Sequence, residues 1–128
     1  MAASEPLPHF VEDLLGYLYE THPTHATLDG VHTYDDVLED FGRQAIDAET
    51  RALAGYLRRL DEIHPEGLTA IERLEHRWLA SNIRGRMFEL EEVRTHERNP
   101  QIYSDVLASS LAGQALFTWI VTQARSAA

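Results

Sequence analysis

Cysteine is absent from these 128 residues, which excludes a disulfide framework, a thiolate nucleophile and any Cys-based zinc site. Lysine is absent as well. All 11 basic residues are Arg, set against 21 acids for a formal net charge of -10. Phosphate binding needs a basic surface, so nucleic acid is not an expected partner. The use of Arg in place of Lys reads as a GC-rich coding bias and carries no functional meaning. The opening residues, MAASEPLPHF, hold neither a basic segment nor an apolar run. No secretory signal is predicted from them, and the expected location is cytoplasmic. Strand-like alternation, repeats and low-complexity tracts are also missing.

What remains is helical periodicity. Phe10, Val11, Leu14, Leu15, Leu18 and Tyr19 recur at three- and four-residue steps and predict a helix over 8–20. His22-Pro23 stops it, because the residue before Pro is pushed out of the helical region. A structured loop is expected next, with Asp29-Gly30 as its turn. A short helical turn over 34–41 would then bring Val37, Leu38 and Phe41 inward. Leu53, Tyr56, Leu57, Leu60 and Ile63 predict a second helix over 47–64, broken at Pro65-Glu66-Gly67.

Thr69-Ala70-Ile71-Glu72 has the form of a capping box. The helix it opens shows Ile71, Leu74, Trp78, Leu79, Ile83, Met87, Leu90 and Val93 as one apolar stripe reaching about Arg94. Such a helix, at 1.5 Å per residue, would extend about 39 Å, a length suited to a scaffold crossing a larger protein. Asn99-Pro100 supplies a cap and a first-turn Pro for a last helix. From Val106 to Ala124 that helix has no charged residue. Its Ser, Thr and Gln content argues against a membrane span, although the length approaches the roughly 20 residues a span needs. The expected fold is all-α: one domain over residues 1–128, with three to four main helices in an irregular bundle and a structured loop between the first two.

The densest chemistry lies between His22 and Asp40. His22, His25, Asp29, His32, Asp35 and Asp36 are metal-ligand types, but they are strung along a connector and not paired at three- or four-residue steps on a helix. Hydrogen bonding of the loop by His32 and Asp35 is the expected role. The carboxylates Glu89, Glu91 and Glu92 stand near Arg86 and Arg94 and read as an ion-paired, solvated helix face. His76 reads as a surface or interface residue, and Ser109 and Ser110 have no local His or acid to activate them. No catalytic residue and no metal ligand is assigned.

The order Pro23, Ala26, Thr27, Gly30, His32, Tyr34, Asp35, Leu38 and Asp40 resembles the N-terminal signature of a bacterial family known as domain of unknown function 885. A second segment, Leu90-Glu91, Arg94 and then Asn99-Pro100-Gln101-Ile102-Tyr103, resembles another stretch of the same family in order and spacing. The resemblance covers residues 9 to 117, and residues 118–128 form a divergent tail. Full-length members of that family are longer and look like zinc metallopeptidases, with a His-Glu and Pro-Gly-His site that this sequence does not contain. The resemblance implies an N-terminal piece of a peptidase- or hydrolase-like protein, inactive by itself, with zinc and peptide substrates belonging to the full-length relatives. It marks His32, Tyr34 and Asp35 as candidate cleft-lining residues. The other expectation is a stand-alone acidic helical module that binds proteins or self-associates through its last helix, where Phe117, Trp119, Ile120 and Val121 cluster.

Overall fold

A computed structural model describes residues 5–105 and 108, and among these the chain is all-α, without a strand. Three long helices carry the fold: α1 (Leu7–Thr21), α3 (Arg43–Asp61) and α4 (Ala70–Phe88). A short helix, α2 (Pro23–Leu28), follows α1, and another, α5 (Thr95–Arg98), follows α4. Single 3-10 turns occupy His32–Tyr34 and Pro65–Gly67. The expectations for residues 106–124, including association through Phe117–Val121, lie outside the described residues apart from the helical position of Ala108.

One core joins the three long helices. Leu7, Phe10 and Leu14 of α1 meet Ile46, Leu53 and Leu60 of α3 and Leu79, Ala80 and Ile83 of α4, with Ile63 and Leu90 completing it. The spacings of seven within α3 and of three and four within α1 are those of a single buried helix face. Tyr56 packs edge-on to Phe10 at 5.9 Å between ring centres and tilts against Tyr17 at 5.4 Å. Arg59 lies over the rings of both Phe10 and Tyr56 and reaches Glu5 at 2.8 Å, fastening the start of α1 to the end of α3.

The capping box forms as its sequence implies. The Thr69 hydroxyl accepts from the Glu72 amide, and the Glu72 carboxylate accepts from the Thr69 amide at 2.8 Å. His76, on the next turn, donates from Nε2 to the Leu60 carbonyl at 2.9 Å. That carbonyl is one of the last in α3 and also accepts from the Ile63 amide at 3.0 Å, in the turn that closes the helix. His76 is thus a bracket between two helices. Asn99 also acts as a cap, its side chain accepting from the Gln101 amide at 3.1 Å ahead of helical residues 101–105.

Three expectations require correction. First, the connector after α1 is largely helical: α2 occupies its first six residues, because Pro23 suits a first helical position. Second, no helical turn spans 34–41. Val37 and Leu38 are exposed, and only Phe41 packs toward the core. Glu39 and Asp40 explain this, since their carboxylates are drawn to the backbone amides of Thr24 and Gly42. Such side-chain bonds compete with the helical ladder.

Third, the apolar stripe of α4 is two faces. Leu79, Ala80 and Ile83 are buried, whereas Ile71, Leu74 and Trp78 are 70%, 64% and 65% exposed. At 3.6 residues per turn the exposed set projects about 150° around the helix from the buried one. The helix also stops earlier than expected. Glu89–Val93 form a π turn, and Arg94 follows in the left-handed region at φ 56°. Its amide donates to the Glu89 carbonyl at 2.7 Å, and its guanidinium pairs with Glu97, not with the expected Glu91.

Left-handed backbone costs a residue with a Cβ about 1–2 kcal/mol. Arg94→Gly should therefore exceed Arg94→Ala in stability by about 1 kcal/mol, the reverse of the order expected in a helix interior. Both variants lose the Glu97 pair, so comparing their denaturant midpoints isolates the backbone term. Equal midpoints would place Arg94 outside the left-handed region.

Candidate functional site

The residues from Pro23 to Asp40 fold back on themselves by local bonds. Thr24 and Ala26 are buried within α2. Gly30, at φ 87°, ends that helix: its amide donates to the Thr27 carbonyl at 3.1 Å, and the Val31 amide donates to the Ala26 carbonyl at 2.8 Å. This pair of bonds around a left-handed glycine is the Schellman closure. The Thr27 hydroxyl then donates to Asp35 at 2.7 Å, and His32 Nδ1 lies 3.0 Å from the other oxygen of the same carboxylate. The Thr27 hydrogen bond, followed by that of His32, holds the Asp35 carboxyl below the usual carboxylate range.

The three candidate residues therefore separate. His32 and Asp35 are bonded to each other on an exposed turn, and Tyr34 accepts from the Val37 amide through its carbonyl. None of the three lines either of the two principal cavities. The other metal-ligand types are dispersed too. His22 is directed at Glu49, and Asp29 accepts from the Tyr19 hydroxyl at 3.3 Å. Among the described residues, no group of three or more His, Cys, Asp or Glu side chains is placed to hold a metal ion. The zinc implied by the family resemblance does not fit the residues described.

The strongest electrostatic feature lies elsewhere. Glu49, on the inner face of α3, is only 4% exposed. Its Oε1 receives His22 Nε2 at 3.0 Å and Arg86 Nε at 2.8 Å, and its Oε2 receives Arg86 Nη2 at 3.1 Å. Arg86 also donates to Glu89. Burial pushes the Glu49 carboxyl up, but the His22 and Arg86 hydrogen bonds and their charges outweigh it. The pKa falls from 4.5 to about 2. Sequence reasoning missed this acid, although the spacing Ile46–Glu49–Leu53 places it on the apolar face of its helix.

Beside that cluster runs a groove of about 630 Å³, walled by Leu14, Leu15, Leu18, Leu53, Trp78 and Ile83. Its polar end is formed by His22, Thr24, His25, Asp29, Glu39 and Arg86. Glu39 Oε1 accepts both the amide and the hydroxyl of Thr24, the former at 3.0 Å. Oε2 of the same carboxylate is buried and accepts no hydrogen bond among the described residues. A second cavity of about 570 Å³ lies between α3 and the π turn, where Arg43, Arg51 and Arg94 face Asp47, Glu91 and Glu97. Its charges are balanced. Among the described residues the arrangement offers binding and positioning chemistry and shows no assembled nucleophile with its base.

Comparison with known proteins identifies no relative: no family model, no curated protein and no solved structure matches the chain. No helix among the described residues is long and apolar enough to cross a membrane.

The depressed Glu49 pKa fixes a sign for acid sensitivity. Its stabilisation is fully present above pH 4.5 and disappears as pH falls toward about 2. The shift corresponds to at most about 3 kcal/mol. Glu49→Gln should lower stability at pH 7 and flatten the loss between pH 4.5 and 2, as read from denaturant midpoints. A parallel decline in parent and variant would exclude Glu49 as the titrating group.

The turn at Gly30 gives a further expectation. Gly30→Val should lower the melting temperature through a backbone penalty of about 1 kcal/mol or more. His32→Ala should lower it less, because the ion pair it removes is exposed. Thermal unfolding of both variants tests the ranking.

Proposed function

We propose that this chain is an N-terminal helical scaffold of a larger protein resembling a zinc-dependent peptidase or hydrolase, and that it lends a wall to a cleft without a catalytic centre of its own. The observation carrying this reading is the second apolar face of α4. Ile71, Leu74 and Trp78 stand more than half exposed, with Trp78 also lining the groove, a surface suited to burial against a further layer of protein. Four of the positions that carry the resemblance support the same view, because Gly30, Thr27, Asp35 and Asp40 are engaged in shaping their own segment. The setting in this reading is cytoplasmic. The partners are protein or peptide, since a net charge of -10 disfavours nucleic acid.

The α4 face also favours a second reading, a stand-alone module that self-associates. Burying one large apolar side chain contributes about 1.5–3 kcal/mol, so Ile71 and Trp78 together are enough to hold a dimer. Sedimentation over a range of concentrations separates the two readings. A monomer supports the scaffold, whereas a dimer abolished by Ile71→Ser with Trp78→Ser supports self-association. Elemental analysis of protein purified without chelator should find no stoichiometric zinc, and peptide and ester substrates should not be turned over. Near one zinc per chain would overturn both readings.

A further inference from the structure

We infer that the groove between α1, α3 and α4 binds a ligand with an apolar body and a single terminal ammonium group, whose N–H donors meet Glu39. The site is built from this chain's own residues and stands whether or not a larger protein surrounds it. Its volume, about 630 Å³, falls among those of small-molecule sites, as does its plan of apolar walls with a few convergent polar groups. Leu15, Leu18, Trp78 and Ile83 supply the walls.

The charge at the polar end selects the head group. Arg86 is committed to two carboxylates, Glu49 and Glu89, and His22 is committed to Glu49. The Arg86 and His22 side chains at the groove are therefore engaged by acids outside it. Asp29 and Glu39 remain in the lining; Asp29 accepts from the Tyr19 hydroxyl, and Glu39 accepts the Thr24 amide and hydroxyl on Oε1 alone. Glu39 is held on one oxygen by Thr24 and, among the described residues, has no donor on the other.

A buried acceptor without a donor is uncommon enough to call for an absent partner. Glu39 lines the groove, and a turn of its soft terminal carboxyl torsion moves both oxygens together, bringing Oε2 to the groove wall as the Thr24 bonds loosen. An anionic head would face Asp29 and Glu39 directly, and a purely apolar ligand would leave Oε2 unmatched. A primary ammonium supplies both the charge and the N–H bonds that strengthen each other in such a contact.

Calorimetric titration of the full chain with octylamine, octan-1-ol, octanoate and octyltrimethylammonium tests this. Octylamine should bind about tenfold more tightly than octanol, and octanoate more weakly than either. Octyltrimethylammonium, charged but without an N–H, should fall near octanol; this arm needs no variant. In Glu39→Gln the amine preference should vanish while octanol binding persists, since Gln still accepts from Thr24. In Asp36→Asn, which removes an acid of the same segment outside the groove, the preference should survive. Equal affinities for octylamine and octanol would overturn the proposal, as would a preference that outlasts Glu39→Gln. Absence of binding by every probe, with the chain dimeric in sedimentation, would assign the groove to a second copy and overturn it equally.

Discussion

Glu49 is the joint of this molecule. It sits on α3, but its oxygens are bound by His22, at the junction of α1 and α2, and by Arg86 on α4. Three otherwise separate elements converge on one carboxylate. Packing alone would let helices slide along their apolar faces, because hydrophobic contact is non-directional. A buried charge does not permit that freedom: once its partners move, it is left uncompensated at a cost of several kcal/mol. The cluster thus fixes the register between the helices and, with it, the walls of the adjoining groove. Arg86 belongs to both, bonded to Glu49 and lining the groove's polar end.

Features written in a few adjacent residues were legible in the sequence. The Thr69–Glu72 box, the Asn99 cap and the Asp29-Gly30 turn each have a local chemical cause and form as read. The helical class and the three long helices also follow from periodicity. What stayed hidden depends on contacts between distant residues. Nothing in Glu49 itself distinguishes a buried acid from a solvated one; its burial is decided by His22, 27 positions away, and Arg86, 37 positions away. Glu39 is likewise held by Thr24 across 15 positions, and the chain accordingly leaves its turn at 36 and runs without a helical turn through 37–41. The α4 stripe misled for another reason. Apolar spacing shows that a helix has an apolar surface, but it does not tell which arc will find a partner.

The candidate residues His32, Tyr34 and Asp35 illustrate the difference between a recognisable motif and a reactive one. Pro23 opens a helix, Gly30 closes it, and Thr27, His32 and Asp35 tie the closure to the following turn. The product is a compact corner that presents His22, Thr24, His25 and Asp29 to the groove. The chemistry-bearing surface is thus made by residues next to His32, Tyr34 and Asp35, and the motif acts by positioning its neighbours.

The π turn at Glu89–Val93 has a different implication. Its closing bond, from the Arg94 amide to the Glu89 carbonyl, encloses one residue more than an α-helical turn holds. This is accordingly where the chain can change length at little structural expense. Loss of one residue there would restore a regular helical turn, leave the α3–α4 packing upstream intact, and rotate everything downstream by about 100°. The heading on which the chain leaves α4 is set by a count of residues, so a single-codon deletion there would re-aim α5 and disturb the core at its Leu90 edge alone.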